Sequence, residues 1–128
     1  MKNYNIWGKI ISLPDSVKIG EFCDIGEPNI GQQCKIQCHV SIPPGWIIGN
    51  NVFIGPGAHF ANDKHPKADN LNFKPETGIV EDDVMIGMGA LIGAGVHIGK
   101  GAIVGMGAVV LKDVEAGQTI VGNPARVV

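Results

Sequence analysis

The stretch Ile86–Gly105, IGMGALIGAGVHIGKGAIVG, decides the reading of this chain. An aliphatic residue returns at every sixth position, at Ile86, Ile92, Ile98 and Val104, and glycine follows it each time. The fifth place of each unit is small or β-branched, as at Ala90, Val96, Ala102 and Ala108. Repetition at a fixed short period is the signature of a solenoid, in which each unit buries its apolar face against its neighbours.

The period extends through almost the whole chain. Upstream, the hydrophobes fall at Trp7, Leu13, Ile19 and Ile25, then at Ile30, Ile36, Ile42, Ile48, Ile54 and Phe60. Downstream they resume at Val80 and run through Val110 to the weaker Ala116. The step from Ile25 to Ile30 is five residues, which predicts a local kink, with Pro28 suited to a corner. Asn29 and Trp46 are the exceptions to the small fifth slot. The physical reading is an all-β coil of short flat strands, with three hexads to a triangular turn. The first-slot residue stacks on the one eighteen residues away, the fifth-slot residue fills the corner beside it, and glycine after the hydrophobe allows the tight corner. The expectation is a single domain over 1–128, with five to six coils.

Composition agrees. With 19 glycines and 8 prolines in 128 residues, helix is disfavoured, and a hydrophobic fraction of 45% excludes disorder. A net charge of −2 without a basic run argues against nucleic-acid binding. The first nine residues lack the apolar run of a secretion signal. Residues 36–62 carry no Asp, Glu, Lys or Arg, but their prolines and amides argue against a membrane helix. Cys23, Cys34 and Cys38 have no metal spacing, so reduced thiols, no metal and a cytoplasmic location are expected.

The period fails once, over about 61–79, a polar stretch too long for a corner. It predicts an excursion loop, and long loops in compact folds carry function. The charge-free stretches on either side, 36–62 and 84–99, predict burial against a partner subunit.

The repeat resembles the hexapeptide family, whose fold is the left-handed parallel β-helix. The hand comes from that resemblance, since crossovers are otherwise right-handed. Within the family, Lys35–Ile42, Ile54-Gly55-Pro56 and Phe60-Ala61-Asn62-Asp63-Lys64-His65-Pro66 resemble the nucleotide-linked 3-amino-sugar N-acetyltransferases. Those enzymes open the loop with phenylalanine, a small residue and Asn-Asp-Lys-x-Pro. Gly105–Val114 and Gly122–Arg126 are similar to the ending shared by most hexapeptide acetyltransferases. One departure is Pro44, where relatives often carry an acid before the glycine that is here Gly45.

The resemblance implies acetyl-CoA-dependent transfer of an acetyl group to the amine of a UDP- or dTDP-linked amino sugar, in a cytoplasmic homotrimer. It implies that Asn62 holds the amine or the thioester, where a bare loop-entry cap is the plainer reading. His65 has the chemistry of a general base, and His65-Pro66 also resembles the sugar and maltose O-acetyltransferases, which is the alternative function. His39, Asp63 and Lys64 are candidates for the substrate. Acetyl-CoA would lie along the groove between coils, with backbone groups at Gly87, Ala90, Gly105 and Ala108 pairing with its amides and Lys112 and Arg126 meeting its phosphates. His59 and His97 fall in the outward sixth slot and read as surface or interface residues. A zinc site like that of the γ-class carbonic anhydrases would need His39, His59 and His65 at a different spacing, and a non-catalytic structural trimer would leave the polar loop without a role.

Overall fold

The computed structural model describes the backbone of residues 2–6, 9–26 and 29–128. The Trp7 unit and Glu27–Pro28 therefore lie outside the described residues. Every regular element among the described residues is a strand. The chain opens with an antiparallel pair, Lys2–Ile6 against Lys9–Leu13, where the repeat alone suggested a first coil. From Lys18 onward, strands of two or three residues wind as a parallel β-solenoid of about six turns, consistent with a left-handed β-helix.

Three sheets form the faces. Face one holds Lys18–Ile19, Lys35–Ile36, Phe53–Ile54, Met85–Ile86, Ile103–Val104 and Thr119–Val121, with Arg126–Val127 added antiparallel at the end. Face two holds Asp24–Ile25, Ser41–Ile42, His59–Phe60, Leu91–Ile92 and Val109–Val110. Face three holds Asn29–Ile30, Trp46–Ile48, Gly78–Val80 and His97–Ile98. Successive strand residues point to opposite sides, so the first slot turns inward and the sixth outward. Ile36, Ile54, Ile86 and Val104 stack inside face one while Lys35, Phe53, Met85 and Ile103 stack outside it. The fifth-slot residues, such as Ala58, Ala90 and Ala108, are fully buried at the corners. No polar or charged side chain is buried among the described residues.

Register records each irregularity of the sequence. Ile30 pairs with Ile48 at the regular eighteen-residue spacing. Ile19 pairs with Ile36 and Ile25 with Ile42, one residue closer, because those turns contain the five-residue step. Ile48 pairs with Val80, so the turn that carries the loop is lengthened by fourteen residues. The last turn is shortened: Val114 bridges to Ile98 and Ile120 pairs with Val104. Ala116, expected to close the series, is exposed, and Ile120 takes the interior position. The four-residue step from Val110 to Val114 shifts the phase, so the six-residue count continues from Val114.

Glycine has two roles here, and the corner role belongs to a different slot from the one expected. The tight corner falls at the fourth slot, where the backbone turns left-handed: φ is +72° at Gly57, 55° at Asn51 and 58° at His39. The glycine after the hydrophobe is required by the coil next to it. A Cβ on Gly87 would stand 2.5 Å from the Met106 nitrogen, and one on Gly20 2.6 Å from the Cys38 nitrogen.

The three corners differ in chemistry. Between faces three and one a polar ladder climbs the solenoid. The amide of Gln33 donates to Ser16 Oγ (2.8 Å), that of Gln32 to Asn50 Oδ1 (2.8 Å) and that of Asn50 to Asp82 Oδ1 (2.7 Å). Between faces one and two, Phe22, Met88 and Met106 are exposed along the corner, beside Glu21 and His39 in its first coils. Exposed Phe53, Met85 and Ile103 flank it on face one, and Leu91 on face two. The loop leaves from the third corner, between faces two and three.

Two expected outcomes follow from this packing. Gly87→Ala should cost about 1–3 kcal/mol in denaturant unfolding, because its neighbour is backbone and cannot swing aside, whereas Gly57→Asn should cost less than about 1 kcal/mol, since Asn accepts this φ and nothing lies within 4 Å of the site. Burial raises the thiol pKa of Cys23 and Cys34, which keeps both as protonated thiols well above neutral pH. Iodoacetamide at pH 8 should therefore leave both unmodified in the native protein, and their rapid native alkylation would contradict the packing.

Candidate functional site

The loop, residues 61–77, is fastened to the solenoid at its base. Trp46 occupies a fifth slot where the other coils carry small residues, and it is buried. Its indole packs edge-on against Phe60, with ring centroids 4.8 Å apart, and Nε1 donates to the Ala61 carbonyl at 2.8 Å. The returning strand passes over the same indole: a Cβ on Gly78 would stand 2.5 Å from ring carbons of Trp46, which is why this position carries glycine. The oversized corner residue thus holds the chain where it leaves and where it re-enters.

Asn62 completes the base. Its side-chain amide donates to the Pro44 carbonyl at 2.9 Å, and its own carbonyl accepts the Glu76 N–H at 2.9 Å. The amide is thereby oriented, while its Oδ1 remains available as an acceptor and its second N–H as a donor. Pro44 stands where relatives often carry an acid, and the group it offers at the loop is its backbone carbonyl; its ring packs toward Gly26. Asp63 caps the next turn, its Oδ1 accepting the His65 N–H at 3.0 Å. Lys64 folds back over the following coil. A Cβ on Gly95 would meet Lys64 Nζ at 3.4 Å and Glu76 Oε2 at 3.7 Å, so both side chains reach over that glycine. His65 is exposed, as are Leu71 and Phe73 farther along the loop.

The structure therefore brings together Asn62, Asp63 and Lys64, and adds Trp46, the Pro44 carbonyl, Glu76 and Gly95. Of the added residues Trp46 carried a signal in the sequence, as a large residue in a small slot, and Pro44 stood out as a departure from the acid common in relatives, while Glu76 and Gly95 carried none. His39 is not part of this group. It sits at the corner between faces one and two, its ring stacked on Phe22 with centroids 5.2 Å apart. Among the described residues no three His, Cys, Asp or Glu side chains gather as a metal would require, and no helix is long and apolar enough to cross a membrane.

The residues expected along a cofactor groove divide into two sets. Lys112 and Arg126 line one cavity of about 330 Å³ at the C-terminal end, together with Asp113, Gln118 and Pro124. Ala90 and Ala108 are fully buried. The N–H groups of Gly87 and Gly105 donate to Val104 and Ile120, and those of Ala90 and Ala108 to Gly87 and Gly105. These four N–H groups are spent inside the solenoid, so they do not face a ligand at this corner, where the Met88 and Met106 side chains are exposed.

A parallel solenoid on a six-residue repeat, with one pinned excursion loop, defines the class of hexapeptide-repeat β-helices. The chain belongs to the bacterial transferase hexapeptide family, whose six-repeat model matches residues 27–62 and 78–112 and skips the loop. Over 116 residues the chain is 33% identical to the bifunctional protein GlmU of Bartonella bacilliformis, covering 91% of this chain and 24% of that protein. It resembles the structure of a hexapeptide-repeat acetyltransferase from Vibrio cholerae O1 biovar eltor, complexed with acetyl coenzyme A, at 29% identity and a TM-score of 0.74; the match covers 88% of this chain and 66% of that one. It shares the fold of Caulobacter crescentus PerB, solved with CoA and GDP-perosamine, at 24% identity and a TM-score of 0.71 over 90% of this chain and 52% of that one. The chain thus spans about a quarter of the curated relative it matches and about half to two thirds of these solved neighbours.

The clamp at the loop base is open to direct test. Trp46→Phe removes the hydrogen bond to Ala61 and shrinks the buried ring under Gly78, so stability should fall by at least about 1–3 kcal/mol. Amide exchange should quicken at Glu76 and Gly78, and unchanged exchange there would show that the indole does not hold the loop.

Proposed function

We propose that the protein is an acetyl-CoA-dependent acetyltransferase that acylates the amine of a nucleotide-linked amino sugar. The observation that carries this reading is the oriented Asn62 amide at the base of the Asn62-Asp63-Lys64-His65-Pro66 loop. Family membership and the acetyl coenzyme A and CoA complexes of the similar structures support the acyl donor. The GDP-perosamine bound to PerB supports an amino-sugar acceptor. The resemblance of the loop narrows the acceptor to a UDP- or dTDP-linked 3-amino sugar.

In this reading Asn62 accepts an N–H of the incoming amine through Oδ1, or donates its second N–H to the oxygen of the reacting carbonyl. Either contact aims the amine at the thioester, and positioning supplies much of the rate for so good a nucleophile. Lys64 and Asp63 bind the sugar portion, and Lys112 and Arg126 attract the phosphates of the donor. The N-acetyl product and the free thiol leave from the same cleft. We assign the reaction to the cytoplasm, where the acetyl donor is made.

A homotrimer completes the cleft. The corner of Phe22, Met88 and Met106, with exposed Phe53, Met85 and Ile103 on face one and Leu91 on face two, is the wedge that three copies would turn toward a common axis. Face two of one copy would then meet face one of the next beside the loop.

The second reading is sugar O-acetylation with His65 as general base, favoured by the exposure of that histidine on the loop. Assays with acetyl-CoA and a panel of nucleotide-linked amino sugars and free sugars separate the two. N-acetyl product should form, Asn62→Ala should lower kcat/KM at least tenfold, about 1.4 kcal/mol, and His65→Ala should retain most activity. Acetylation confined to hydroxyl acceptors and abolished by His65→Ala would reverse the choice. Sedimentation should give three times the 13.5 kDa chain, and a clean monomer would refute the shared cleft.

A further inference from the structure

We propose that copies of this chain lock together through charges at the foot of the solenoid, Lys18 and Lys35 of one copy pairing with Glu21 and Asp24 of the next. The inference rests on the trimer of the reading above and names the contact that selects it over other pairings. Lys18 and Lys35 stand opposite each other in the outward slot of neighbouring strands on face one, and both are exposed. Like charges directly opposed on a sheet repel, and among the described residues neither ammonium has an ion-pair partner. Asp24 takes the outward slot of face two six residues after Lys18, and Glu21 lies at the corner between them. Both carboxylates are exposed, and neither is ion-paired among the described residues. The first coils thus carry two cations on one flank of the wedge and two anions at its edge and on the other flank.

The outward columns of the two faces match row by row. Face one reads Lys18, Lys35, Phe53, Met85 and Ile103 from the foot upward. Face two reads Asp24, Ser41, His59, Leu91 and Val109. A closed ring carries no rise along its axis, so each coil faces the coil of the same height in the next copy. Lys18 then faces Asp24, and Met85 faces Leu91. Other pairings lose this match. Two copies of face one set parallel put Lys18 on Lys18, and two copies of face two put Asp24 on Asp24. Face one set antiparallel to itself lays the lysines against Ile103 and Thr119, which offer no counter-charge. Apolar burial has no direction, so the exposed hydrophobes supply affinity while the charges choose the partner surface and exclude the alternatives.

Two measurements test the lock, and neither uses turnover, so the acetyl-transfer reading stands or falls separately. The first is sedimentation of the double variants Lys18→Glu/Lys35→Glu and Glu21→Lys/Asp24→Lys. Each should need about tenfold or more protein for half-assembly, and a chain with all four reversals should assemble like the parent. The difference should shrink in about 1 M salt, where screening acts within about 3 Å. The four positions are exposed, and circular dichroism of each variant checks that the coil is intact. Reversal on either side without effect on assembly overturns the proposal, as does a fourfold reversal that assembles no better than the double variants. In those cases a trimeric parent leaves the shared cleft standing, whereas a monomeric parent removes both.

The second measurement is carbodiimide coupling, which joins an ammonium to a carboxylate in contact, applied to a mixture of unlabelled and isotope-labelled chains. Mass spectrometry should find linkages of mixed isotope from Lys18 or Lys35 to Glu21 or Asp24. Linkages of these residues confined to a single chain overturn the lock.

Discussion

Everything in this molecule depends on how closely one coil can approach the next. Inter-strand hydrogen bonds hold neighbouring strands at about 4.8 Å, and where glycine follows the first-slot residue, as at Gly20 and Gly87, the next coil leaves no room for a Cβ. Gly20 and Gly87 meet that limit by carrying no side chain, with the backbone of the next coil 2.5–2.6 Å from where a Cβ would be. Once the coils close to this distance, each first-slot residue must land on its counterpart one turn away. The aliphatic columns inside and the apolar or polar columns outside follow from that stacking. The interior needs no polar group, and no buried polar or charged side chain occurs among the described residues.

The same constraint explains how the solenoid hosts a site. A coil can accept additional chain only at a corner, where the backbone already turns away from the stack. Fourteen residues are inserted at one corner, and Val80 still pairs with Ile48 beneath it. Trp46 makes this tolerable by filling the corner, holding the Ala61 carbonyl and packing under Gly78. The loop is thus long enough to carry polar groups while its first candidate site residue, Asn62, is fixed to the scaffold through Pro44. A rigid scaffold with one anchored loop is the arrangement that positions substrate groups well.

Much of the fold was legible because the period is short and regular. The stacked positions, the five-residue step and the excursion loop all lie in the spacing of hydrophobes. The corner glycine was harder to place. Two glycines per unit satisfy two demands, left-handed φ and close approach, and composition does not say which is which; Asn51 and His39 in the fourth slot reveal it only through their φ values. The final turn misled for a related reason. Ala116 keeps the count, but the four-residue step to Val114 makes Ile120 the interior residue. Of the candidate site, Asn62, Asp63 and Lys64 were visible as a motif. Their anchors were not, because a backbone carbonyl at Pro44 and the lie of Lys64 over Gly95 exist only once the coils are stacked.

The most direct test of the account is a crystal structure grown with CoA and a nucleotide-linked amino sugar. The account predicts three copies around an axis lined by Met88 and Met106. It places the CoA sulfur and the sugar nitrogen in the cleft between face two of one copy and face one of the next, beside Asn62. A single copy binding both ligands by itself, or a sulfur seated away from residues 61–77, would contradict it.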